Sequence, residues 1–224
     1  MDNERIAIIT GASRGLGLAL AAGLAREGWR LVIDARDGEA LAEAAWGLPG
    51  QPAVIAGDVT DPGHRAALVE AATRAGGPDL LINNAGILGP TPLPALAEYP
   101  LAVLREVYEV NVFGPLALAQ LALPALRGRG GTIVNVTSDA AVEPYPGWGG
   151  YGSAKAAVEQ LGRVLAVEEP AVRVWTVDPG DLRTRMHQEA FPGEDISDRP
   201  LPETVVPAFL KLLAERPPSG RVRL

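Results

Sequence analysis

Residues 5–28 constrain the fold more tightly than any other stretch. Arg5 to Ile9 is short and apolar and runs directly into Thr10-Gly11-Ala12-Ser13-Arg14-Gly15-Leu16-Gly17; an amphipathic pattern follows to Glu27 and stops at Gly28. Strand, glycine-rich turn and helix in that order predict an α/β unit whose turn receives the phosphates of a dinucleotide. Gly11 permits the tight turn, Gly15 lets the backbone approach a pyrophosphate, and Gly17 lets the helix lie close to the sheet. The helix N-terminus offers free N–H groups to the same anion. The spacing is G-x-x-x-G-x-G rather than G-x-G-x-x-G.

The rest of the chain repeats the alternation. Strands are expected at Arg30–Asp34, Ala53–Ala56, Asp79–Ile82, Thr132–Val136, Val172–Val177 and Arg221–Leu224, with helices at Gly38–Trp46, Pro62–Ala75, from Leu101 to Leu126, from near Tyr151, and at Pro202–Glu215. The turn after the second strand, Ala35-Arg36-Asp37, is where an adenosine ribose is met: an acid binds a 2′-hydroxyl and an arginine a 2′-phosphate. Both types are present, and the register decides between them. Arg36 falls just past the strand, Asp34 within it, and Arg14 offers a second cation. Asp58, before Val59, either accepts from an adenine amino group or serves a turn. Asn83 and Asn84 can bridge backbone groups of adjoining loops, and Ala85 and Gly86 leave room for a flat ring. Asn111 sits in mid-helix, a poor place by propensity. Pro115 lacks the N–H that its carbonyl would accept, which frees that carbonyl for a water or simply marks a kink. The segment from Asp181 to Pro200 reads as a long loop of the kind that forms lids.

Ser138 closes the fifth strand, and Tyr151 and Lys155, four residues apart, share a helix face. A phenol ionises near pH ~10. A fixed ammonium one turn away favours the phenolate, so the pair is expected to bring Tyr151 toward neutral pH, where a general acid/base works best. Ser138 can bond an oxygen held against Tyr151.

Composition excludes several alternatives. There is no cysteine, hence no disulfide framework or thiolate metal site. The two histidines, His64 and His187, lack companions at ligand spacing and read as solvated side chains. A net charge of −7 argues against a nucleic-acid surface. The start, Met-Asp-Asn-Glu-Arg, is unlike a signal peptide, and the Leu101 helix is interrupted by Arg105, Glu106, Glu109, Asn111 and Gln120, unlike a membrane span. A cytoplasmic, single-domain protein spanning residues 1–224 is the expectation.

Taken together, T-G-A-S-R-G-L-G at 10–17, Asp58-Val59, N-N-A-G at 83–86, Asn111, Ser138, Y-G-S-A-K at 151–155 and Pro179-Gly180 resemble the short-chain dehydrogenase/reductase family over nearly the whole chain. The resemblance implies a doubly wound Rossmann-type α/β fold with a mainly parallel sheet. It implies that Tyr151 is the acid/base, that Lys155 binds the nicotinamide ribose and assists Tyr151, that Ser138 orients the substrate oxygen, and that Asn111 holds a proton-relay water. Cofactor contacts are implied for Gly11, Ser13, Arg14, Gly15, Leu16, Gly17, Arg36, Asp58, Val59, Asn84, Ala85, Gly86, Tyr151, Lys155, Pro179 and Gly180. Arg14 and Arg36 match positions used for NADP(H) rather than NAD(H). A carbonyl or alcohol substrate and a homodimer or homotetramer follow by the same resemblance. The chain departs from it in ending at Leu224, where many members extend further. A nucleotide-sensing protein without chemistry would not need Ser138, Tyr151, Lys155 and Asn111 together, and a non-redox lyase or dehalogenase relative would not need the intact glycine loop.

Overall fold

Strand β1 (Ile6–Ile9) is buried along its whole length. Its side chains alternate between two cores, as the period of a strand requires. Ala7 and Ile9 join one cluster, and Ile6 and Ile8 join the other on the opposite face. A strand covered on both sides is what a parallel sheet needs.

The computed structural model describes residues 4–224; Met1 to Asn3, part of the N-terminal stretch compared above with a signal peptide, lie outside the described residues. Around β1 lie β2 (Arg30–Ala35), β3 (Ala53–Ala56), β4 (Leu80–Asn83), β5 (Thr132–Val136), β6 (Arg173–Asp178) and β7 (Gly220–Arg223). Their order is β3-β2-β1-β4-β5-β6-β7, and every neighbouring pair is parallel. The direction of winding reverses between β1 and β4, which opens a crevice at the carboxyl ends of those strands, the place where such sheets bind ligands.

The helices are α1 (Gly15–Arg26), α2 (Gly38–Trp46), α3 (Pro62–Arg74), α4 (Leu101–Tyr108), α5 (Gly114–Arg129), α6 (Gly149–Glu168), α7 (Arg185–Ala190) and α8 (Val206–Glu215). Leu20 and Leu24 of α1 and Phe209 of α8 fill the core on one side; Leu68 of α3 and Leu118, Ala122 and Leu126 of α5 fill the other. Each of these buried leucine and phenylalanine side chains contributes about 1.5–3 kcal/mol. Gly23 is needed where α1 meets α8, because a Cβ there would lie 2.4 Å from a Val206 methyl carbon.

The helical run Leu101–Arg129 is by length and mean hydropathy able to cross a bilayer, but half of its most apolar stretch is buried inside the protein. It is not one regular helix. Between α4 and α5 lies a wide π turn, Glu109–Phe113, in which the Gly114 N–H reaches back to the Glu109 carbonyl. Pro115 cannot donate to the Asn111 carbonyl and its ring crowds it; the wider turn accommodates both. The segment after Asp181, expected as a loop, contains α7, whose start is fixed by Thr184: its hydroxyl accepts from the His187 N–H at 3.1 Å. Helix α6 begins two residues before Tyr151.

Candidate active site

A cleft of about 1390 Å³ opens over the carboxyl ends of the strands, and the glycine loop, Arg36, Asp58, Asn84, Gly86, Ser138, Tyr151, Lys155 and Gly180 all line it. Sites for drug-sized ligands measure about 300–1,000 Å³, so this cleft has room for a dinucleotide and a further small molecule. Among the described residues no cluster of metal-ligating groups occurs.

The glycine loop is held from three sides. Thr10 Oγ1 accepts from the Asn84 and Ala85 N–H groups, each at 3.0 Å, and the Asn84 amide donates to the Thr10 carbonyl at 2.8 Å and the Gly11 carbonyl at 3.1 Å. Asn83 donates to Asn135 Oδ1 at 2.8 Å, so both asparagines bridge neighbouring chain segments. Gly11 and Gly15 have φ of 68° and 56°, a region that disfavours other residues. A Cβ on Gly17 would stand 2.3 Å from the Gly11 carbonyl oxygen. Arg14 precedes α1 without a side-chain cap, which leaves the first-turn N–H groups to an anion. These features fit the pyrophosphate of a dinucleotide.

The third support comes from residues the sequence left unassigned. Asp34, buried in β2, accepts the Gly11 N–H at 2.7 Å on one oxygen, and His64 Nε2 lies 2.8 Å from the other. His64 is therefore not solvated as expected; it is 7% exposed and wedged beside Gly57, where a Cβ would lie 2.3 Å from its Nδ1. The burial of Asp34 makes this partner necessary, since an unpaired internal carboxylate is costly. With both oxygens engaged, Asp34 shapes the loop.

At the turn after β2 the register is now visible. β2 ends at Ala35, and Arg36 is exposed at the cleft with no ion pair among the described residues. Asp37 is occupied: it caps α2 by accepting from the Ala40 N–H at 3.1 Å, and it faces Arg14 at 3.6 Å. Asp58 serves a turn. One of its oxygens accepts from both the Thr60 N–H and the Thr60 hydroxyl at 2.8 Å. Partial burial pushes its carboxyl up, but these two bonds, with Arg36 and His64 nearby, hold it below its ordinary value. Val59 is buried beside it and its carbonyl accepts from Arg65 at 2.6 Å.

Ser138 leaves β5 and opens a short 3₁₀ turn, Asp139–Ala141. Its hydroxyl accepts from the Ala140 N–H at 3.2 Å and donates to Asp139 at 3.0 Å. Helix α6 presses against this turn at Gly152, where a Cβ would lie 2.5 Å from the Ala140 carbonyl oxygen. That close approach brings Tyr151 into one apolar cluster with Ala140, Leu88 and Ala190. Lys155, one turn on and 4% exposed, donates to the Val136 carbonyl at 2.9 Å and lies 5.4 Å from the Tyr151 ring centre.

The electrostatics differ from the expectation for this pair. Burial first, then the Asp139 and Asp178 carboxylates, push the Tyr151 phenol well above its ordinary value. Burial lowers Lys155 to about 8. Desolvation acts against whichever form is charged, and in this buried setting it outweighs the lysine's attraction for a phenolate.

The Asn111 side chain joins the π turn to the loop after Gly86: it accepts from the Ile87 N–H at 3.0 Å and donates to the Ile87 carbonyl at 2.8 Å. A Cβ on Gly86 would meet Asn111 Oδ1 at 2.8 Å. Asn111, Gly86 and Lys155 are thereby gathered at one point, although 69 residues separate Gly86 from Lys155.

Two further groups were missed. Arg221 of β7 reaches Glu159 at 3.0 Å, Asp178 at 2.8 Å and the Ser138 carbonyl at 3.3 Å, while Thr137 donates to Glu159 at 2.7 Å. The short terminal strand thus ties down the base of the Ser138 turn. His187 is not solvated either. Its ring lies 4.9 Å from that of Phe191, and its Nε2 is buried with no partner among the described residues. The segment after Gly180 also reaches the glycine loop, for a Cβ on Gly15 would contact the Thr184 methyl carbon at 3.6 Å.

Comparison with known proteins agrees with this arrangement. Residues 5–195 match the short chain dehydrogenase family. The chain is similar to sepiapterin reductase of Rattus norvegicus, 38% identical over 83% of this chain and 77% of that protein. It is also similar to an NADPH-dependent aldehyde reductase-like chloroplastic protein of Arabidopsis thaliana, 31% identical over 97% of this chain and 82% of that one. Its fold resembles an alcohol dehydrogenase of the archaeon Thermococcus sibiricus complexed with 5-hydroxy-NADP, with a TM-score of 0.87, 29% identity, and 99% and 96% of the two chains covered. A parallel seven-stranded sheet, a glycine loop at its crevice and a match across most of its length mean that this chain belongs to the short-chain dehydrogenase/reductase family of oxidoreductases.

Proposed function

We propose that the chain is a single-domain NADP(H)-dependent reductase of carbonyl compounds, working through Ser138, Tyr151, Lys155 and Asn111. The observation that carries this reading is the gathering of Ser138, Tyr151 and Lys155 on the same cleft as the glycine loop and Arg36, with Asn111 packed against Gly86 of its wall. When bound, NADP(H) supplies the hydride. The residues that would hold it are the glycine loop at the pyrophosphate, Arg36 with Arg14 at the 2′-phosphate, Asn84, Ala85 and Gly86 along the inner wall, and Lys155 at the inner ribose.

The Ser138 hydroxyl and the Tyr151 phenol bond the carbonyl oxygen of the substrate. The Tyr151 phenol is protonated at neutral pH because its burial and two carboxylates hold it so; that is the form able to give a proton to the nascent alkoxide. Lys155, mostly charged at pH 7, stabilises the phenolate left behind. A water at the Asn111 carbonyl would restore the proton through Lys155. The Trp148 and Phe191 rings, which line the cleft, and the α7 segment limit bulk water at the reacting oxygen, as a lid does.

Arginine matches a phosphate with a charge-assisted fork, so NADPH is expected to bind more tightly than NADH. Arg36→Asp should reverse the order, with a loss of NADPH affinity of about tenfold or more, consistent with a charge-assisted bond of roughly 1.5–3 kcal/mol. Titration of both proteins with both cofactors tests it; equal or tighter NADH binding by the wild type would overturn the assignment.

A homo-oligomer completes the proposal. Phe113 and Leu121 on and beside α5, and Val164 and Val167 on α6, are exposed apolar side chains on the two long helices, and symmetric pairing through such faces is the common outcome. Light scattering at micromolar concentration is expected to give at least twice the chain mass of 23.4 kDa. A species of the single-chain mass alone would refute it.

A further inference from the structure

The part of the cleft beyond Ser138 and Tyr151 has a composition of its own. Trp148 meets the Tyr151 ring edge-on, with centres 5.8 Å apart, and the Phe191 ring lies 5.9 Å from that of Trp148. His187 follows at 4.9 Å from Phe191. An arc of four rings therefore leads directly to the proposed acid/base. Aromatic walls favour flat partners, and they also attract cations to their faces.

The charges along this arc are mainly of one sign. Asp139 accepts from the Ser138 hydroxyl at 3.0 Å and from the Tyr145 hydroxyl at 3.1 Å. Asp181 lies 3.9 Å from His187 Nδ1, with its side chain 61% exposed. Both acids line the cleft, and both raise the pKa of a neighbouring phenol, Asp139 those of Tyr145 and Tyr151, and Asp181 that of Tyr145. Arg185, the exposed cation on this side, is paired with Glu189 at 2.6 Å, and the buried Lys155 lies 5.4 Å from the Tyr151 ring centre at the inner end.

Carboxylates at this place oppose the chemistry if the substrate is neutral. Reduction of a carbonyl builds negative charge on its oxygen, and nearby acids make that harder. The same acids become favourable if the substrate brings a positive group to sit between them and the rings. Resting on the carbonyl-reductase reading above, we propose that the substrate is a flat, aromatic-type carbonyl compound bearing a cationic nitrogen, and that Asp139 and Asp181 select it over carboxylate-bearing analogues. The rings hold its planar body, and the acids hold its charge. His187 Nε2, buried without a partner among the described residues, adds one polar group able to bond the bound molecule.

The test uses benzaldehyde, 4-carboxybenzaldehyde and 4-(trimethylammonio)benzaldehyde at low ionic strength with NADPH. The expected order of kcat/KM is cationic, then neutral, then anionic, spanning at least tenfold from end to end. Asp181→Asn, at an exposed position, should compress that span several-fold, and added salt should do the same because exposed charges are screened. In parallel, quenching of tryptophan fluorescence with NADP⁺ present gives dissociation constants for the three compounds whether or not turnover occurs. Reduction of benzaldehyde with a flat or inverted charge order overturns this inference and leaves the reductase reading intact. Absence of turnover with all three, while binding keeps the charge order, counts against the reductase reading and supports the selectivity. A charge order that Asp181→Asn leaves unchanged, or no binding of any of the three, overturns the proposal.

Discussion

Tyr151→Phe is expected to reduce kcat by about 10²–10⁴-fold, the usual contribution of a positioned acid/base, while leaving cofactor affinity within about twofold. The substitution removes one oxygen and keeps the ring, so contacts with Trp148, Leu88 and Ala190 survive. The phenol is held protonated at neutral pH by burial and by Asp139 and Asp178, so in the proposed mechanism what is lost is a proton donor that acts in the transition state. A loss confined to the transition state lowers kcat and kcat/KM together. Single-turnover reduction followed at 340 nm, with cofactor titration alongside, measures both quantities. A variant that keeps more than about a tenth of the wild-type rate, less than the smallest usual effect of such a group, would remove Tyr151 from the mechanism.

Lys155→Met is expected to change activity and stability in opposite directions. Turnover should fall by about 10²-fold or more, since in the proposed mechanism the ammonium serves both proton transfer and ribose binding. The cofactor-free protein, however, should melt higher at pH 7. Burial lowers Lys155 from 10.5 to about 8, which corresponds to about 3 kcal/mol of penalty on the charged form. Losing the bond to the Val136 carbonyl offsets about 1 kcal/mol of the relief. The remainder, about 2 kcal/mol, raises the melting temperature by about 4–8 °C at this chain length.

The pH dependence follows from the depressed pKa. Below pH 8 lysine is charged in both states and the folded state carries the full penalty. Between about 8 and 10.5 the unfolded chain holds the proton that the folded protein has released, so wild-type stability gains as pH rises. Above 10.5 both states are neutral and the penalty is gone. The advantage of the methionine variant is therefore complete at pH 7, shrinks through that window and, because the bond to the Val136 carbonyl is still missing, turns into a small deficit above it. Thermal melts at pH 7 and pH 10.5 check this; a variant that melts lower at pH 7 would contradict the cost assigned to the buried charge. A functional group kept at the expense of stability is the ordinary bargain at a reactive site.

Much of this could be seen in the amino-acid order because its causes are local. The glycine loop, its flanking strand and helix, the Tyr151–Lys155 spacing and the place of Arg36 just past a strand all depend on periodicity, turn chemistry and the conformational freedom of glycine. Gly11 and Gly15 at positive φ are cases in which the backbone conformation and the residue type imply each other. The π turn at Asn111 was visible only as a conflict between a helical pattern and Pro115; its geometry depends on how the two flanking helices pack. The register of the ribose turn was undecided until the end of β2 fixed Arg36 outward and gave Asp37 to the cap of α2.

What the sequence by itself determined is the alternation of strands and helices, the glycine loop between β1 and α1, and the helical spacing of Tyr151 and Lys155, each written within a few consecutive positions. What only the tertiary structure decided is the company those residues keep. His64 joins Asp34 across 30 residues, Arg221 joins Asp178 across 43, and Asn111 ties down Ile87 across 24. It also decided the protonation of the central pair, because desolvation and the field of Asp139 and Asp178 act through space. A spacing of four along a helix brings a lysine beside a tyrosine; the depth at which α6 is buried against the Ser138 turn determines which of the two is charged.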